Sequence, residues 1–268
     1  MRADYEEAEG ITTPSKEQVP PSQMDTPMNV QFPPMSTYQT LGENKSLKLT
    51  YEIRGSHQRH DQVVASVVFT NLTSNQIKDL ELNVLDSLNA KLIRGIGCSH
   101  RDPVKVPFIL LPNSQNEGQF AFSVESINIP QKLKGTLTYM EKTDDGSTHE
   151  KLDFKLNFRC SDFLISTPCK SAEYASLLGS GDLNEKSSLN FVPSDQEFPL
   201  ILAKICFHLH FRVVEQVADN ASLYSRSIHD HPVCLLVKMV KNELKVDGKS
   251  TDLSLVSNVL QDIKTTLL

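Results

Sequence analysis

The stretch KLDFKLNF, Lys151 to Phe158, decides the fold, because it can be read in only one way. Leu152, Phe154, Leu156 and Phe158 alternate strictly with Lys151, Asp153, Lys155 and Asn157. Successive strand residues point to opposite faces, so this segment has one buried and one wet side, as in an antiparallel sheet packed on one face. Working outward, the same period of two recurs in LKLTYEI from Leu47, in LELNVLD from Leu80, in GQFAFSVESI from Gly118 and in LKGTLTYME from Leu133. VVASVVFTN from Val63 is rich in β-branched residues, which favour strands. NLTSN, LPNSQNEG and KTDDGSTHEK supply turn residues between these runs. Six to eight short strands with no helical periodicity before about residue 170 predict an immunoglobulin-like antiparallel β-sandwich over 43–163.

After Ser161 the periodicity changes. SAEYASLLGSG predicts a short helix over 170–179 ended by glycine. SDQEFPLILAKICFH reads as a second helix, with Ser194 as cap and Glu197 completing a capping box. FRVVEQV, SLYSRSI, VCLLVKMV and ELKVDG read as strands, the last two joined by a turn near Lys241 and Asn242. A closing amphipathic helix places Leu253, Val256, Leu260 and Ile263 on one face. Residues 164–268 therefore read as an α+β platform, an antiparallel sheet flanked by helices, contiguous with the sandwich. Residues 1–42 hold six of the fourteen prolines and long polar stretches, which reads as a disordered hinge or linker.

Charge and composition exclude several functional classes. The formal charge is −6, and residues 1–40 carry six acidic against two basic residues, leaving −2 for the rest. A dedicated nucleic-acid binder shows a basic excess, so no nucleic acid is expected as partner, although a local basic face remains open. Five widely spaced cysteines read as reduced thiols in a cytoplasmic protein. No apolar run reaches the roughly 20 residues that span a bilayer, so membrane contact is expected only indirectly. No phosphate-cradling glycine loop, nucleophile elbow or His-Glu-x-x-His pattern occurs, so no catalytic residue and no cofactor is assigned.

Two clusters still have the composition of metal chemistry: Cys206, His208 and His210, then His229, His231 and Cys234. On a helix Cys206 and His210 share a side while His208 points away, and neither cluster has the tight pairing of structural zinc ligands. A metal-binding regulatory domain is the alternative function; satisfied or exposed histidines are the simpler reading, and no metal is assigned. The other candidate site is a partner-binding surface. Tyr174 on the 170–179 helix, with Leu177 beside it, and Lys238, Lys241 and Lys245 on the neighbouring strand pair suit a short peptide carrying acidic and aromatic residues, provided Tyr174 is exposed.

Long runs carry a resemblance: LELNVLDSLNAK, QKLKGTLTYMEKTDDGSTHEKLDFKLNF (131–158), LAKICFHLHFRVVEQV (202–217) and ASLYSRSIHDHPVCLLVK (221–238). Together they resemble, over about residues 46–268, the C-terminal appendage or ear of the delta subunits of adaptor protein complex 3. The resemblance implies a bilobed appendage and a non-catalytic role in a vesicle coat, peripheral on Golgi and endosomal membranes. The implied work is protein transport to lysosomes and related organelles. It implies as partners the other subunits of the adaptor complex and short peptide motifs of accessory or tethering proteins. Related appendages hold peptides in a pocket built around a tryptophan and basic residues. This chain has no tryptophan, and Tyr174 and Leu177 stand nearest that position.

Overall fold

The computed structural model describes residues 34–268 except 57 and 196, so most of the segment read as a linker lies outside the described residues. Pro34–Leu268 form one compact unit. Its first part contains β1 (Gln39–Glu43), β2 (Leu47–Gly55), β3 (Gln62–Asn71), β4 (Gln76–Val84), β5 (Ala90–Leu92), β6 (Val104–Lys105), β7 (Gln115–Val124), β8 (Gln131–Thr143) and β9 (Gly146–Phe158). They form two antiparallel sheets in the orders β1-β2-β3-β7-β5 and β6-β4-β8-β9. β1 begins inside the segment whose composition reads as linker, because Leu41 reaches the core with 8% exposure.

The alternation read from the sequence is what holds the sandwich together. Leu133, Leu137 and Tyr139 of β8 and Leu152, Phe154, Leu156 and Phe158 of β9 are all buried, while Lys134, Lys151, Asp153 and Lys155 are exposed. Burying each such apolar side chain contributes about 1.5–3 kcal/mol. Phe122 of β7 meets Phe158 of β9 edge to face at 5.2 Å, joining the two sheets. β8 and β9 stay in register along their whole length, and Gly135 sits opposite Phe154. A methyl group on Gly135 would lie 2.3 Å from the Phe154 ring, so glycine is required there by space.

The second part contains β10 (Leu164–Ile165), α1 (Ser171–Gly179), β11 (Glu185–Phe191), α2 (Phe198–Leu209), β12 (Arg212–Val217), β13 (Asn220–Ser227), β14 (Pro232–Val240), β15 (Glu243–Ser250) and α3 (Leu253–Leu267). One antiparallel sheet runs β10-β13-β14-β15-β11, with β12 pairing β13. This is the expected sandwich followed by an α+β platform. Buried residues of both parts share one core, and the Phe158 and Phe163 rings stack 6.2 Å apart where they meet.

Two helix expectations are corrected. Ser194 does not cap α2; its hydroxyl donates to the Leu268 carbonyl at 2.5 Å, and Glu197 occupies the cap position. Pro199 explains the later start, since its fixed φ and missing N–H suit the first turn of a helix. Leu253 is 49% exposed, while Leu255, Val256, Val259, Leu260, Ile263 and Leu267 form the buried stripe of α3. Asp252 caps that helix by accepting from Leu255 N–H at 2.8 Å, which orients Leu253 outward.

Candidate partner-binding face

The β14–β15 hairpin turns through Lys241 and Asn242, both left-handed at φ 49° and 66°. Such a two-residue turn follows the natural strand twist and fixes the register. Lys238 therefore stands directly opposite Lys245, and Lys241 sits at the tip. Lys245 reaches Asp247 at 3.2 Å, and Asp247 also accepts from the Ser188 hydroxyl at 2.6 Å. Lys238 and Lys241 form no ion pair among the described residues.

Alternation along β14 puts Cys234, Leu236, Lys238 and Val240 on one face, with Val233, Leu235 and Val237 on the other. The latter three enter the main core that also holds the buried stripe of α3. The former face carries α1 over only one end. Tyr174 of α1 packs with Tyr224, Cys234 and Leu183, and Leu177, Leu178 and Val214 close the edge. Beyond that cover Leu236 and Val240 are each 46% exposed.

Tyr174 is 7% exposed, which overturns the expectation of an exposed aromatic anchor. Its hydroxyl donates to the Leu235 carbonyl at 2.8 Å, and burial drives its pKa upward. An apolar sheet end needs a lid, and the largest side chain of α1 supplies it. Leu177 is half-buried in the same cluster, while Lys238, Lys241 and Lys245 are exposed on the same side of the sheet. The structure thus brings the five candidates to one face, three as surface cations and two as the support of α1. Sequence reasoning missed Leu236 and Val240; the run VCLLVKMV is apolar almost throughout, so it does not reveal which half of one face stays open.

The cysteine and histidine clusters separate in space. His210 ends α2 in a left-handed conformation and donates from Nδ1 to the Ser161 carbonyl at 3.1 Å. His229 Nε2 lies 3.1 Å from the Val124 carbonyl, and His231 Nδ1 lies 2.6 Å from the Thr251 hydroxyl. Burial pushes the Cys206 thiol up to about 11 and Cys234 up to about 12. Among the described residues no group of three or more His, Cys, Asp or Glu is placed to hold a metal ion. The metal-binding alternative loses its geometry.

Residues 161–268 match the family described as the AP3 Mu C-terminal domain. The chain is 49% identical over 265 residues to the AP-3 complex subunit delta-1 of Bos taurus, covering 99% of this chain and 21% of that relative. It therefore spans about a fifth of the length of the curated relative. Among solved structures, the yeast GGA1 GAE domain covers 44% of this chain and 97% of its own at 20% identity, with a TM-score of 0.32. The GAE domain of GGA2p from Saccharomyces cerevisiae has the same TM-score at 18% identity, covering 44% of this chain and 96% of its own. No helix among the described residues is long and apolar enough to cross a membrane. The likeness carried by the long sequence runs is thereby shown: over 99% of its length this chain is similar to the delta-1 subunit of the AP-3 complex.

Proposed function

We propose that this chain is a non-catalytic interaction appendage of a vesicle-coat adaptor. In this reading it divides near residue 163 into a sandwich and a platform that together present surfaces to other proteins. The reading rests on one observation: α1 covers only part of the outer platform face, leaving Leu236 and Val240 exposed beside Lys238, Lys241 and Lys245. An apolar strip ringed by cations suits a segment that combines bulky apolar and acidic residues. The partners proposed are the other subunits of the adaptor complex and accessory or tethering proteins, in transport toward lysosomes and related organelles. The proposed location is the cytoplasmic side of Golgi and endosomal membranes.

Lysine-reactive footprinting of the chain, alone and mixed with the purified remaining subunits, tests the site. Lys238, Lys241 and Lys245 should lose reactivity on binding, and Leu236→Asp should weaken the complex about tenfold or more, as loss of a central apolar contact does. A complex that forms with all three lysines equally reactive would remove the platform face from consideration.

A further inference from the structure

A groove lies elsewhere, on the sandwich. It encloses about 740 Å³, and its lining includes Asn83, Leu85, Lys134, Asp153, Lys155 and Asn157. Its cations are placed by register. Lys134 of β8 stands directly opposite Lys155 of β9. Opposed residues on one face of an antiparallel pair have Cβ atoms about 5 Å apart, and like charges there repel.

The repulsion is not relieved from within. Neither Lys134 nor Lys155 forms an ion pair among the described residues. The nearby carboxylate is engaged elsewhere: Asp153 accepts from the Thr136 hydroxyl at 2.8 Å and meets Lys151 at 3.3 Å. Across the outer positions of β8 and β9, Lys132, Lys134, Lys142, Lys151 and Lys155 face the single acidic residue Asp153. Glu81 of β4 stands opposite Lys105 of β6. This concentration of positive charge belongs to a chain whose formal charge is −6. Leu85 adds an apolar contact at one end, being 64% exposed.

We propose that this groove binds an extended acidic segment of a partner protein, with a carboxylate seated between Lys134 and Lys155 and an apolar side chain against Leu85. A second anion-binding surface on the sandwich, separate from the platform face, follows. The groove favours a peptide over a lipid surface because its cations lie within a concavity that also offers the exposed amide of Asn157, which an extended chain can reach.

The probe is a fluorescein-labelled decapeptide alternating aspartate and leucine, with a control alternating asparagine and leucine, both titrated into the full chain by fluorescence anisotropy. The acidic peptide should bind more tightly than the control and weaken as salt rises. Lys134→Glu with Lys155→Glu should cost about tenfold or more in affinity. Lys170→Glu, the same charge change away from the groove, should leave it unaltered. Lys134→Met with Lys155→Met removes the repulsion while keeping the fold, so it should hold or raise the thermal midpoint and still weaken binding. Equal binding of the two peptides, or full affinity in either double variant, overturns the proposal. Vesicles containing phosphatidylserine that bind through Lys134 and Lys155 when the peptide does not would also overturn it, in favour of a membrane surface.

Discussion

The two halves of the molecule bury their sheets differently. In the sandwich each sheet covers the inner face of the other, and the outer face of β8 and β9 is largely polar. In the platform there is one sheet: its inner face joins the core with α2 and α3, and its outer face is covered by α1 at one end only. A strand that alternates cleanly is finished once its apolar side is buried, so the open sandwich face around Lys134 and Lys155 is wet and charged. A strand that is apolar on both sides needs a second cover. Where α1 stops short, Leu236 and Val240 are left exposed. The two candidate surfaces differ for this reason, one mainly electrostatic with Leu85 at its end and the other part apolar along the strand.

The largest test of that comparison uses two glycines, one in each half. Gly135 lies beneath the Phe154 ring, and an added methyl would stand 2.3 Å from two ring atoms and 3.0 Å from the Asn83 carbonyl. Gly248 lies beneath α3, where the methyl would stand 2.6 Å from one methyl of Val256 and 3.2 Å from Leu235. Overpacking of a filled core costs about 1–3 kcal/mol and occasionally more. Gly135→Ala should fall at or above the top of that range, because a ring held between strands and a backbone carbonyl cannot step aside. Gly248→Ala should cost about 1–2 kcal/mol, since a valine side chain on a helix has more room to shift. Chemical denaturation followed by far-ultraviolet circular dichroism measures both. The shared core predicts one transition that moves in each variant. Two separable transitions, each sensitive to one glycine, would show that the halves fold independently.

A smaller effect is expected at the lid. Tyr174→Phe keeps the ring over Tyr224 and Cys234 but removes the donor to the Leu235 carbonyl. A lost neutral hydrogen bond costs about 1 kcal/mol. Because α1 rests on that ring, the same variant should raise the hydrogen-exchange rates of the α1 amides more than those of β14. Unchanged exchange in α1 would mean that the apolar contacts of the ring, Leu177, Leu178 and Leu183 hold the helix without the hydroxyl's hydrogen bond.

How much of this was legible beforehand follows from the same contrast. KLDFKLNF announces both its faces, and the strands sharing its period were all recoverable from sequence. The short strands Ala90–Leu92 and Val104–Lys105 were not, because two or three residues carry no measurable period. In the platform the elements could be read, but the face each presents could not. VCLLVKMV is apolar on both sides up to Lys238, and only the placement of α1 decides that Cys234 is covered and Leu236 is not. The lysine cluster was legible because a hairpin turn fixes its neighbours. The burial of Tyr174 was not, since a tyrosine on an amphipathic helix suits a surface and a core equally. The groove between Lys134 and Lys155 depends on cross-strand register, which the sequence of either strand alone does not contain.

The smallest expected effect lies at the junction, which belongs to neither half. His210 ends α2 at φ 59° and bonds the Ser161 carbonyl, with Asp162, Arg159 and Arg54 as its charged neighbours. Burial pushes its imidazole below the ordinary range, outweighing that bond and the attraction of Asp162. The folded state therefore prefers neutral His210. The stability it contributes is present above the ordinary imidazole value of about 6.5 and is lost as pH falls through that value toward the lower folded one. Asp262, which accepts from Ser161 N–H at 2.9 Å, behaves oppositely: burial raises its pKa, so its contribution is present at low pH and lost as pH rises through the raised value. Only the difference between wild type and His210→Asn isolates the histidine. Asparagine tolerates the left-handed conformation, and its amide can still donate to the Ser161 carbonyl. Between pH 7.5 and 5.5 the wild-type denaturation midpoint should fall relative to that of His210→Asn, by less than the about 1 kcal/mol expected for the lid hydrogen bond. Parallel midpoints across this window would mean that His210 accepts a proton without strain, and that the junction is more open to water than its burial implies.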